Sequence, residues 1–164
     1  MASVFVTVGM GPWPFDRLVA AIAPLCADHE VVAQTGTSTV RPPCPHAPFM
    51  PYDQLLQRLR AADVVVTHAG NTVRLVQRAG RVPIAVARRA ALGEMGNDHQ
   101  VDYLRLEERT GRVIAVWELD RLPAVVAGHP AAEQRLLAER PLPPATDPER
   151  VTAILDALCA RLVR

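Results

Sequence analysis

The sequence predicts an α/β fold, an open parallel sheet of Rossmann-like type with helices on both faces. Three observations carry that prediction. Short runs rich in Val, Ile and Ala alternate with segments of helical period through most of the chain. Runs such as Val64-Val65-Val66 are apolar on both faces, which suits strands buried between two helical layers rather than a sheet with one wet side. Hydrophobic residues make up 49% of the 164 residues but aromatics only 4%, so the core is built from aliphatic side chains. Parallel strands joined by right-handed helical crossovers are the common solution for such a pattern.

The elements follow in order. The apolar run Val4–Val8 ends at Gly9, and Phe15, Leu18, Val19, Ile22 and Leu25 then recur at helical spacing, giving strand, turn and helix. Glu30 to Ala33 is a second strand. Gln34 to Pro51 is polar, proline-rich and without period, and is expected to be loop. Pro51 opens a helix marked by Tyr52, Leu55, Leu56 and Leu59. Asp63–Thr67 is the next strand, and a glycine turn at Gly70 leads into a helix that Gly80 ends at a left-handed cap. Pro83–Ala87 is a strand and Arg88–Gly96 a long loop. Asp98 is placed to cap a helix carrying Val101 and Leu104, which stops near Gly111. Arg112–Val116 is the last strand, followed by a short helix over Leu119–Val126 and a helical or irregular piece over Ala131–Glu139. Residues 141–164 read as a proline-rich link and a closing helix. Asp147-Pro148 starts that helix, and Val151, Ile154, Leu155, Leu158 and Leu162 form its buried stripe.

The length is that of one ordinary domain, taken as 1–164. With 18 basic and 17 acidic residues, and no run of five or six like charges, a nucleic-acid partner is not expected. Every basic residue is Arg. Cys26, Cys44 and Cys159 show no CxxC spacing and cannot all pair, so neither a disulfide framework nor a zinc site is expected, and a reducing, cytoplasmic setting fits. The chain opens on an apolar strand with no basic leader or cleavage site, and its apolar runs fall short of the roughly 20 residues of a membrane span.

In open parallel sheets ligands bind beyond the carboxyl ends of the strands, where strand order reverses. The informative residues stand just there. Gly9, Met10 and Gly11 follow the first strand and give a backbone that a diphosphate can approach, although a plain tight turn explains the pattern equally well. The spacing is not GxGxxG, which argues against a dinucleotide enzyme. In His68-Ala69-Gly70-Asn71-Thr72 the turn sets Gly70, Asn71 and Thr72 at a helix N-terminus, where free N–H groups favour an anion, or where they serve as ordinary capping. His68 ends a strand beside that turn. Glu94, Met95, Asn97, Asp98, His99 and Gln100 form the densest polar cluster, suited to sugar hydroxyls or to a solvated loop. Arg88 and Arg89 follow a strand and are placed to neutralise a leaving diphosphate; Trp13 and Trp117 are expected to pack.

Together, Val6–Gly9 with Pro14–Val19, then Ala62–Gly70, then Asn97–Gln100, resemble the family 28 glycosyltransferase C-terminal domain. The similarity is to its short single-domain members, such as the cytosolic subunit of the eukaryotic dolichol-linked GlcNAc transferase and bacterial exopolysaccharide counterparts, and covers Val4 to about Val116. The resemblance implies the donor-binding half of a GT-B enzyme and a partner subunit, often membrane-anchored, that holds the acceptor. It also implies metal-independent inverting transfer from a nucleotide sugar, UDP-linked by expectation, with no cofactor, at the inner membrane face through the partner. By this resemblance His68, Gly70, Asn71 and Thr72 face the diphosphate, and Glu94, Asn97, Asp98 and Gln100 face the sugar; His68 and Asp98 are the catalytic candidates. Two positions depart from the pattern. Leu75 stands where relatives carry a glutamate for the ribose, in a turn one residue shorter, and Met95 where many place a histidine. A non-catalytic scaffolding or regulatory relative, and a homodimeric transferase acting on a soluble acceptor, are the alternatives.

Overall fold

A computed structural model describes residues 1–142 and, beyond them, residues 152, 153, 155–157, 159 and 160. Strands β1 (Ser3–Thr7), β2 (Glu30–Gln34), β3 (His46–Ala47), β4 (Val64–His68), β5 (Ile84–Val86) and β6 (Ile114–Ala115) form one sheet, every pairing parallel, in the order β3-β2-β1-β4-β5-β6. Helices α1 (Asp16–Ala21), α2 (Leu25–Asp28), α3 (Tyr52–Ala61), α4 (Asn71–Arg78), α5 (His99–Arg109) and α6 (Leu122–Glu139) cover it. This is the expected open Rossmann-like sheet.

Strand side chains alternate between two apolar layers. Val4, Val6, Val64, Val66, Ile84 and Val86 pack with Leu18, Val19, Leu25, Leu122 and Val126 of α1, α2 and α6. Phe5 and Val65 pack on the other side with Leu59 and Val76 of α3 and α4, and Ala85 with Val73 and Leu104 of α4 and α5. Residues 4–7 of β1 are flanked by β2 on one side and β4 on the other, so strand order reverses at β1 and β4. Their C-terminal ends, at Thr7 and His68, therefore open a crevice with no crossover helix above it.

Several elements differ from the expectation. The first helix breaks between Ile22 and Leu25, where Pro24 has no N–H to continue the ladder. The proline-rich loop holds the two-residue edge strand β3, which Ala33 and Thr35 tie down through the carbonyls of Pro45 and Ala47. The pieces expected around 119–126 and 131–139 are one helix, α6, running through Gly128 and Pro130. A 3-10 turn, Ala90–Leu92, interrupts the loop after β5. Gly80 has φ of 77°, the left-handed cap expected of it. The closing helix from Asp147-Pro148 lies largely outside the described residues; of its apolar stripe only Leu155 is described, and it is exposed.

Candidate functional site

His68 ends β4 at the reversal point, and its ring lies between two glycines. A Cβ added at Gly9 would sit 2.5 Å from the His68 Cε1, and one at Gly70 would overlap Nε2. Gly9 also has φ of 81°, where an L side chain is strained. The two turns after β1 and β4 are thus packed against each other through one imidazole. Burial, then the nearby Arg88 cation, lower the His68 pKa to about 4, against a smaller upward effect of a hydrogen bond with the Thr7 backbone. His68 is neutral at pH 7.

Beside it α4 begins. Gly70 is its N-cap, and the Gly70 N–H turns back to the His68 carbonyl at 2.8 Å. The N–H groups of Asn71 and Thr72 donate to no described protein acceptor, leaving the positive end of the helix dipole free at Asn71, which is exposed. A cavity of about 210 Å³ opens there, lined by Ala69, Gly70, Asn71, Arg74, His99 and Tyr103. Arg74 spans to the buried Glu107 at 2.9 Å and lies 5.4 Å over the Tyr103 ring. The Tyr103 hydroxyl is buried with no partner. Leu75 packs against the apolar cluster of Phe5, Leu59 and Val76.

The polar cluster after β5 divides into two groups. Glu94 is 7% exposed, and its oxygens are taken by Arg17 (2.7 and 2.9 Å) and the Arg89 N–H (2.9 Å). Gln100 is buried and accepts the Arg88 N–H at 3.2 Å. Glu94, expected to face a sugar, spends both oxygens inside the protein, whereas Gln100 is held through Oε1 alone. Asp98, Asn97 and His99 are exposed. Asp98 holds the N-cap position of α5, but no side-chain cap forms; its Oδ1 accepts the Ala90 N–H at 2.8 Å. Asn97 Oδ1 contacts the His99 ring and backbone N–H.

Arg88, expected as an accessible cation, is 3% exposed, and its Nη2 donates to the carbonyls of Val8 (2.8 Å) and Trp13 (3.1 Å). Met10 is 68% exposed on the rim, and at Gly11 a Cβ would meet nothing within 4 Å. Trp13, expected to pack, is 42% exposed and stands 3.8 Å from a Cβ placed on Gly96. Gln34 was not singled out in the sequence. It is buried, accepts from Thr7 Oγ1 at 2.5 Å, and donates to the carbonyls of Gly9 (2.9 Å) and Pro48 (2.7 Å), fixing the glycine loop from below. A polar residue closing an apolar strand was its one visible signal. Arg74 and Tyr103 were missed because only the meeting of α4 and α5 places them together.

Among the described residues no three His, Cys, Asp or Glu side chains gather as a metal site, and no helix is long and apolar enough to cross a membrane. No protein-family model matches the sequence, and no curated protein does either. Among solved structures the chain is similar to CalG4, the calicheamicin glycosyltransferase, with a TM-score of 0.59 and 15% identity over 99% of this chain. It spans 44% of the length of that structure. The similarity is one of fold: this chain is a Rossmann-like domain of the kind a glycosyltransferase contains.

Proposed function

We propose that this chain binds a nucleoside-diphosphate sugar, UDP-linked in the simplest case, and serves as the donor-binding, catalytic subunit of a two-part glycosyltransferase. The observation that carries the reading is the packing of Gly9, His68 and Gly70 at the reversal point, with the unpaired N–H groups of Asn71 and Thr72 beside it. Such a surface receives a diphosphate: backbone approaches closely, donors are free, and the positive end of the helix dipole stabilises negative charge. The resemblance of Ala62–Gly70 and Asn97–Gln100 to family 28 transferases supports the same assignment.

In the reaction an acceptor hydroxyl attacks the anomeric carbon, the bond to the diphosphate oxygen breaks, and the nucleoside diphosphate leaves. The N–H groups at Asn71 and Thr72 stabilise the charge that builds on that oxygen. His68, neutral at pH 7, acts as a hydrogen-bonding partner rather than as a cation. Asp98 has one oxygen free of protein partners and faces solvent near the start of α5, where it orients a sugar hydroxyl or takes the acceptor proton. The acceptor is held by a partner subunit, which also brings the chain to a membrane face.

Calorimetric titration with UDP, UDP-GlcNAc, UDP-glucose and dTDP-sugars tests this reading, with Asn71→Pro, which removes the free N–H at the first position of α4, and Asp98→Ala as comparisons. Binding weakened by both substitutions is expected; no binding of any of these compounds to the folded chain overturns it. One observation favours a second reading, a scaffold that stabilises another transferase: Leu75 gives an apolar contact where a ribose carboxylate stands in relatives. Loss of turnover in Asp98→Ala with partner binding intact would exclude the scaffold.

A further inference from the structure

Arg88 stands just past β5 and is 3% exposed. Among the described residues no carboxylate touches it; Glu94 acts on it only through charge and spends its oxygens on Arg17 and Arg89. A buried cation without a hydrogen-bonded acid is costly, so what it holds is informative. Its Nη2 reaches the carbonyls on both sides of the glycine loop, Val8 at 2.8 Å and Trp13 at 3.1 Å. Its guanidinium lies 4.7 Å over the Phe15 ring, and its own N–H is fixed by Gln100 at the start of α5. Between the two held carbonyls three hydrogen bonds tie the loop, the Gly9 N–H to Thr7 Oγ1 at 3.3 Å, Gln34 to the Gly9 carbonyl and Thr37 to the Pro12 carbonyl at 3.2 Å, and none of them reaches Gly11 or the exposed Met10.

We propose that Arg88 is the positioning residue of the glycine loop: it clamps the Val8 and Trp13 carbonyls so that Gly9–Gly11 keep the shape that receives a nucleotide diphosphate, without touching the ligand. The proposal rests on the donor-binding reading above. It also ties the loop after β1 to the start of α5, because the same residue holds the one by its side chain and the other by its N–H. Shape and charge have separable consequences. A lysine keeps the charge, but its shorter, flexible stem carries no flat group to lie over Phe15 and so does not hold one nitrogen between the two carbonyls as Nη2 is held. The charge, not the shape, bears on His68, whose pKa falls first through burial and then through Arg88.

The test uses the full chain as wild type, Arg88→Lys and Arg88→Met. Backbone order parameters at Gly9, Met10, Gly11 and Trp13, UDP affinity by calorimetry, and the NMR titration of His68 are measured. Both variants are expected to drop the loop from the rigid range, about 0.85, to below about 0.6. UDP binding should weaken roughly tenfold, as expected when binding must first order the loop. The His68 pKa should rise in Arg88→Met and stay low in Arg88→Lys, a split that a general loss of stability would not produce. A loop that stays rigid in both variants, or UDP affinity kept within about twofold, overturns the clamp. If Arg88→Met does not fold, Arg88→Lys decides. If the wild type binds no UDP, the donor-binding reading fails on its own, and the order parameters still decide whether Arg88 holds the loop.

Discussion

Arg17 and Glu94 form a two-pronged ion pair, Nε to Oε1 at 2.7 Å and Nη2 to Oε2 at 2.9 Å, that joins the helix after β1 to the loop after β5. The same arginine donates to the Ala87 carbonyl at 3.0 Å. A planar fork matched to a carboxylate gives geometry as well as energy, and here it sets the path of the chain from Arg88 to Asp98. Removing one partner leaves the other charge poorly solvated. Arg17→Met is predicted to cost about 2–4 kcal/mol, below the full value for a buried pair because Arg17 keeps partial contact with water. Urea unfolding measures it; a loss under about 0.5 kcal/mol would mean that the pair is no stronger than a surface one.

His68 gives the chain a pH signature. Its folded pKa, about 4, lies below the ordinary value of 6.5, so between those limits the unfolded chain binds a proton that the folded chain refuses. Stability contributed by neutral His68 is present above pH 6.5 and is lost as pH falls toward 4. The loss is about 2–3 kcal/mol, since the half-buried ring keeps some solvent contact. Urea midpoints at pH 7 and pH 4.5 should show this fall in the wild type and a smaller one in His68→Asn. Equal falls in both would assign the pH dependence to other groups.

The packing of His68 against Gly70 predicts a coupled pair of substitutions. The Gly70 backbone is extended, so an alanine there is resisted by overlap with the ring and not by its dihedral angles. Gly70→Ala should cost about 1–3 kcal/mol. His68→Ala made together with Gly70→Ala should recover most of the cost of the second change, a coupling of about 1 kcal/mol or more. Additive effects would show that the ring and the turn do not share this space.

Cys44 is predicted to be an inert thiol. Burial, and after it the hydrogen bond and charge of Cys26, push its pKa up to about 12, so almost no thiolate exists at pH 8. Cys159 is exposed. Iodoacetamide followed by peptide mass mapping should label Cys159 well before Cys44; equal rates would contradict the environment described for Cys44.

The sequence carried the fold where local pattern and tertiary role agree. Val64-Val65-Val66 had to be buried on both faces, and Gly80 had to end a helix, whatever lay around them. It misled where packing overrode a local signal. The two separate pieces expected over Leu119–Val126 and Ala131–Glu139 are joined, because α6 continues through Gly128 and Pro130, with His129 between them buried and its Nε2 on the Val82 carbonyl at 2.7 Å. β3 is two residues long and exists because β2 offers it a register, which no period in His46-Ala47 announces. The site divides in the same way. His68 and Gly70 were legible because a strand end and a glycine turn are local features. Glu94 and Arg88 carried ligand-like chemistry in the sequence, but their partners Arg17 and Val8 lie more than 75 residues away, and only the fold shows them occupied.

The proposed donor site lies at the carboxyl ends of β1 and β4. A rival cavity of about 360 Å³ lies at the opposite ends of the strands, lined by residues including Ser3, Cys26, Glu30, Cys44 and Arg58. Two-dimensional amide NMR of the labelled chain titrated with UDP separates the two directly. Shifts concentrated at Gly9–Gly11, His68–Thr72 and Asn97–Gln100 are the predicted result; shifts confined to Ser3, Cys26, Cys44 and their neighbours, or none at all, would contradict donor binding at the ends of β1 and β4.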